Sequence, residues 1–301
     1  MTQPQALPTI RSIAHRLLEP PFAAGTLSIE DRIRCLGDHI CNLLAWSLQD
    51  SGADTCQHLV CTTYLSMYLT GDVSMCNRLF DQIEAQQLPR PQALIQPYQC
   101  AGWGYALRYV GRGGCAQRVV LTIADVDLHD LQGCRSHPLI GASGFGVTCV
   151  LIDLEEGAEL PSCNGPYPNS GFSEFLHAIR SQRRVHGCTP TFLPFLVPEM
   201  RTIAERLLGK DDLGVDRHAA YGHCFGSDPW IGLLEWLQAG KSGKEHVVTL
   251  GAVAYDGYFT LGRVRVSAEV RLRLEIEASE EDVQAEPSAW DALAGGGRRR
   301  I

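Results

Sequence analysis

Gln99-Cys100-Ala101-Gly102-Trp103-Gly104-Tyr105-Ala106-Leu107 puts a cysteine directly ahead of small residues and an apolar helical pattern. The thiol therefore falls at a helix start, where backbone N–H groups and the positive end of the helix dipole favour a thiolate. Just upstream, Ala93 to Gln96 reads as a short strand feeding the cysteine. Cys100 thus sits at a strand-to-helix junction. Taken alone, it is either a nucleophile or a buried small hydrophobe, the role expected of most of the twelve cysteines.

Alternating elements extend in both directions. A first strand is expected near Ile10 to Ala14, and a helix from Ile29 to Ser51, whose Ile33, Leu36, Ile40, Leu43 and Leu44 share one face before Gly52. His58 to Thr63 reads as a buried strand and Val73 to Ala85 as a helix. After the nucleophile helix, which ends near Gly111, strands are expected at Arg118 to Ile123 and Gly144 to Ile152. Gly144-Phe145-Gly146 precedes a strand and not a helix, so it signals close backbone packing, not a phosphate loop.

The second half repeats the pattern. A Pro-, Gly-, Ser- and Asn-rich stretch from about Glu155 to Pro190, with a short helix from Phe172 to Arg180, reads as a connection and lid. Then follow a strand at Leu193 to Val197, helices at Met200 to Leu208 and Trp230 to Leu237, and strands at His246 to Leu250 and Tyr258 to about Ile276. The expected organisation is a first half over 1–157, a second over 158–277, and a mobile tail over 278–301.

With 301 residues, 45% hydrophobic and 20% charged, the chain can fill a large core. A net charge of −8, with no basic block before Arg298-Arg299-Arg300, speaks against a nucleic-acid or anionic-membrane surface. No apolar run reaches about 18 residues and the opening residues lack a secretory pattern, so a cytoplasmic protein with reduced thiols is expected. The cysteines show no paired zinc-ligand spacing, so no metal site is expected.

Four blocks in order resemble the thiolase-fold condensing enzymes, specifically the β-ketoacyl-acyl-carrier-protein synthase III type. They are Val60-Cys61-Thr62-Thr63, the Cys100 segment, Gly144-Phe145-Gly146 with its apolar strand, and Asp216-Arg217-His218 with Gly222 and Gly257-Tyr258-Phe259-Thr260-Leu261-Gly262. The resemblance covers roughly Thr9 to Leu272. It implies an α/β, five-layered αβαβα architecture of two duplicated halves, a dimer with itself or with a homologous subunit, and Cys100 as nucleophile. The backbone N–H groups of Cys100 and Tyr258 would form its oxyanion hole.

The departures bear on the chemistry. Phe145 stands where the family has an acid, the decarboxylation histidine is missing, and Glu199 follows Leu196-Val197-Pro198 instead. His223, in Gly222-His223-Cys224-Phe225-Gly226-Ser227-Asp228, occupies the place of the family's asparagine. One imidazole with a carboxylate nearby suits thiol activation, with Glu199 or Asp228 fixing the histidine tautomer. It suits malonyl decarboxylation poorly, because a carboxylate repels the developing enolate. The plainer readings are a hydrogen-bonded histidine in a polar turn, an Asp228 that caps a helix, and a Glu199 that favours a helix N-terminus.

The expected activity is transfer of an acyl group from an acyl-carrier-protein or coenzyme A thioester to an acceptor in specialised metabolism, with no tightly bound cofactor. Carbon–carbon condensation and a non-catalytic subunit of a mixed dimer are the alternatives. The short segment between the first strand and Ile29 suggests an open entrance and a carrier-protein donor.

Overall fold

The computed structural model describes residues 6–18, 27–49, 56–63, 73–113, 117–129, 135–137 and 140–276. In chain order the first half contains β1 (Thr9–Leu18), α1 (Ile29–Leu48), β2 (Cys56–Cys61), α2 (Val73–Ala85), β3 (Ala93–Ile95), α3 (Gly102–Gly111), β4 (Gln117–Asp125), β5 (Ser136–His137), β6 (Gly141–Ala142) and β7 (Phe145–Leu154). The second contains β8 (Ser162–Asn164), α4 (Gly171–His186), β9 (Thr191–Phe192), α5 (Pro198–Leu208), α6 (His218–Tyr221), α7 (Asp228–Trp236), β10 (His246–Val253) and β11 (Phe259–Ile276). The expected boundary at 157 falls between β7 and β8, and the 278–301 tail lies outside the described residues.

Strand side chains alternate between faces, and here both faces are buried, which is why these strands read as unbroken apolar runs. Val120 of β4 and Val147 and Cys149 of β7 pack against Leu36, Ile40 and Leu44 of α1 and Leu79 and Ile83 of α2. The alternate residues, Leu121 and Ile152, face Trp103 and Leu107 of α3 and Trp230 and Leu234 of α7. Val248, Leu250 and Val264 close on the same two helices from the second half, and Trp103 meets Trp230 edge to face at 5.3 Å. Beyond them, Phe259 and Leu261 of β11 turn outward to Phe175 and Ile179 of α4 and Ala204 and Leu208 of α5. Helices, sheet, helices, sheet, helices: the five expected layers are present.

The two half-sheets are joined edge to edge. Strand order is β3-β2-β4-β7-β1-β11-β10-β9, with β8 also on β11. β1 is the seam, antiparallel to β7 and parallel to β11. Its register slips between Ile10 and Ser12 against both neighbours, while β11 passes from Val266 to Arg271. A bulge of this kind bends a sheet and increases its twist, which turns the halves to face each other across α3 and α7.

Several boundaries differ from the sequence reading, among them that of α4, expected from Phe172 to Arg180 and running from Gly171 to His186. The first helix stops at Leu48, three residues early, and starts at Ile29 as expected, capped by Ser28, whose hydroxyl accepts the Asp31 N–H at 3.1 Å. The strand expected at 193–197 pairs only through Thr191 and Phe192, in β9. Its next backbone donors have other partners: Phe195 N–H goes to Asp228 at 2.9 Å and Leu196 N–H to Asp216 at 2.9 Å. Among the described residues no helix is long and apolar enough to cross a membrane.

Candidate active site

After β3 the chain folds back in a tight turn, in which Gln99 N–H bonds the Gln96 carbonyl and Ala101 N–H the Tyr98 carbonyl, both at 2.9 Å. Gln99 takes a left-handed φ of 45°, an unfavourable conformation for a residue with a side chain. The strain aims Cys100 out of the 3-10 turn 99–101 into a cavity while keeping it 5% exposed. Opposite it, the 3-10 turn Phe225–Ser227 lies so close that a Cβ on Gly226 would stand 3.2 Å from the Cys100 carbonyl. A side chain there would be tight, so glycine eases the contact of the two turns from the two halves.

His223 reaches the thiol from the turn that precedes 225–227. Its N–H bonds the Ala142 carbonyl at 2.7 Å and its carbonyl accepts the Gly144 N–H at 2.9 Å. The imidazole is 4% exposed, with Nε2 3.7 Å from Cys100 Sγ. Nδ1 lies 2.6 Å from Asp228 Oδ2 and 3.2 Å from the Phe195 carbonyl. Asp228 is fully buried at the start of α7, yet it does not cap that helix. Its Oδ1 accepts the Cys224 N–H at 2.6 Å and its Oδ2 the Phe195 N–H. A carboxylate with two backbone donors is held in the acceptor role, so the shared proton belongs on His223 Nδ1, leaving Nε2 to face the thiol.

Electrostatics agree with that assignment. Burial opposes the imidazolium, but attraction and hydrogen bonding to Asp228, with a further contribution from Cys100, outweigh it and raise the His223 pKa well above its ordinary value. Burial pushes the Asp228 carboxyl upward, while His223 and the two backbone N–H groups pull it back. Thiol, imidazole and carboxylate thus stand in line, Cys100 to His223 to Asp228.

The other expected site residues are placed differently. Glu199 is exposed in the first turn of α5, where its charge suits the helix dipole, and it does not line the cavity. Of the two acids, the structure brings Asp228 to the histidine. Tyr258 follows residues 253–257, the end of β10 and its loop, which line the cavity wall beside Cys100. Its carbonyl accepts the Ala254 N–H at 2.7 Å, and its ring packs edge-on to Tyr98 and Tyr105, themselves stacked at 3.6 Å. Phe145 packs with Cys100, Phe225 and Ile140 in one apolar cluster.

Three features had no clear signal in the sequence. Thr63 lines the cavity with its hydroxyl 3.9 Å from Cys100 Sγ, and its N–H is held by buried Asp125 at 2.6 Å. Gln99 Nε2 donates to Asp256 Oδ2 at 2.8 Å, tying the Cys100 turn to the loop from the other half. The Phe195 backbone serves the histidine and the aspartate at once. Paired threonines gave a hint of the first; the others depend on chain distant in sequence. The cavity, about 640 Å³, collects Thr63 and Cys100 from one half and Phe172, Leu196, Met200 and His223 from the other.

No family model and no curated protein matches this chain. Its fold, however, is found among solved structures. The 3-oxoacyl-(acyl carrier protein) synthase III from Pseudomonas aeruginosa PAO1 aligns with a TM-score of 0.59 at 15% identity, covering 87% of this chain and 98% of that one. The acyltransferase ChlB3 gives 0.59 at 14% identity over 88% and 98%, and CsyB complexed with CoA-SH gives 0.56 at 11% over 85% and 99%. The fold is therefore that of the thiolase-fold condensing enzymes of the synthase III type.

Proposed function

We propose that this chain is a cysteine-dependent acyltransferase of specialised metabolism, which takes an acyl group from a carrier-protein or coenzyme A thioester and passes it to an acceptor. The observation that carries the reading is the buried relay Cys100–His223–Asp228 opening on a cavity. His223 Nε2 takes the Cys100 proton and the thiolate attacks the thioester carbonyl. The C–S bond to the donor breaks, and the departing thiolate takes the proton back from Nε2. In the second half-reaction Nε2 accepts the proton of the attacking nucleophile, and Cys100 leaves as the thiol. The Cys100 and Tyr258 N–H groups stabilise the oxyanion in both steps.

Asp228 holds the imidazole in the reactive tautomer and stabilises the imidazolium. The same carboxylate makes this a poor site for forming a malonyl-derived enolate, which sets simple transfer above condensation. The chain acts in the cytoplasm as a dimer, with itself or with a homologous subunit. The test is intact-protein mass spectrometry after incubation with acyl-coenzyme A and acyl-carrier thioesters. An acyl mass increase on the wild type that is absent from Cys100→Ala is expected. A folded wild type that gains no mass from any donor would point to the non-catalytic partner role, and release of carbon dioxide from a malonyl donor to condensation.

A further inference from the structure

Apart from His223 and His137, no basic side chain among the described residues lines the cavity beside Cys100. Every lysine and arginine of the sequence other than Arg298, Arg299 and Arg300 belongs to the described residues, and none of them lines it. The walls are mostly apolar, with Phe172, Leu196 and Met200 on the second-half side, and carry the neutral polar groups of Thr63, Gln96 and Asn169. The carboxylates around the site have the opposite charge effect: Asp228 is buried behind His223, Asp125 behind Thr63, and Asp256 stands at the lining itself. Asp256 is held there by the Gln99 amide, and no salt bridge to it is found among the described residues.

We infer that the cavity is an anion-excluding acyl site, which accepts neutral acyl groups and rejects acyl groups ending in a carboxylate, with Asp256 as a specificity-determining residue at its lining. This rests on the acyl-transfer reading and names its substrate class. The physical reason is desolvation. A neutral chain gains by leaving water for these walls, whereas a carboxylate entering them loses its hydration and meets no arginine or lysine to replace it. Asp256 adds repulsion, weakened by its exposure to solvent.

Hexanoyl- and adipoyl-pantetheine thioesters test this, because they have equal carbon counts and differ only by a terminal carboxylate. The rate of Cys100 acylation is read by intact mass. Hexanoyl transfer is expected to be faster by about 100-fold or more, given the cost of an uncompensated buried charge. Asp256→Lys, which supplies the missing cation at an exposed position, is expected to narrow that ratio by about tenfold. Equal rates in the wild type overturn the inference, and an unchanged ratio in Asp256→Lys removes Asp256 from it. If neither thioester acylates the wild type, the acyl-transfer reading fails. The charge preference is then read separately, by protection of Cys100 from iodoacetamide with the non-transferable hexanoyl- and adipoyl-pantetheine amides. Protection by the hexanoyl amide alone upholds the exclusion of anions; equal protection, or none, overturns it.

Discussion

At the scale of single residues, the proposed relay depends on one carboxylate with three partners. Asp228→Asn keeps the shape but removes the charge that orients and supports His223. The Cys100 acylation rate should fall roughly 1,000- to 10,000-fold, as when the aspartate of a catalytic triad is neutralised. Time-resolved intact mass measurement checks it, and a fall of less than about tenfold would remove Asp228 from the relay. Asp228→Ala should do further harm, since it strands the buried N–H groups of Phe195 and Cys224. Each unpaired donor costs about 1–3 kcal/mol, so a clear drop in Tm accompanies the lost activity.

At the scale of elements, two buried histidines on β1 and β2 should make the sheet sensitive to acid. His15 bonds Thr148 at 2.8 Å, and His58 bridges the Pro89 carbonyl and Thr122. Burial lowers their pKa values to about 3 and about 4, so both are neutral in the fold. In the unfolded chain they titrate near 6.5. Below that pH the unfolded state binds more protons, and stability present above about 6.5 is lost as pH falls, by about 1.4 kcal/mol per pH unit for each histidine. The urea midpoint should therefore drop markedly between pH 7.5 and pH 5; an unchanged midpoint contradicts the neutral assignment. The α3–β11 contact is equally specific. A Cβ on Gly104 would strike the Thr260 side chain. Gly104→Ala should cost about 1–3 kcal/mol by overpacking and, by displacing α3, slow Cys100 acylation.

At the scale of the whole molecule, the halves share one sheet through β1 and one central core around Trp103 and Trp230. They should unfold together, with far-ultraviolet circular dichroism and tryptophan fluorescence tracing coincident transitions. Trp103→Ala should lower stability by about 3–5 kcal/mol without separating the probes. Two resolved transitions would mean that the halves are independent.

Much of this architecture is legible in the sequence, because strands buried on both faces are continuous apolar runs and the helices carry one apolar stripe. The limits of α2 and the nucleophile junction at Cys100 follow from such local patterns. The strand expected at 193–197 does not, since whether Phe195 and Leu196 join a ladder depends on carboxylates 20 and 33 residues away, or on a neighbouring strand. Site legibility divides the same way. A cysteine at a helix start and a His–x4–Asp spacing from His223 to Asp228 stand in the sequence as residue types. Which acid meets the histidine does not, because Glu199 and Asp228 are both first-turn helix acids by pattern. Only the tertiary structure decides between them: it turns one outward to water and encloses the other between two backbone donors and an imidazole, where a buried charge requires partners. The sequence determines which elements form and which groups are available. The packing of one half against the other determines which of them share a cavity, and that none of the described arginines and lysines lines it.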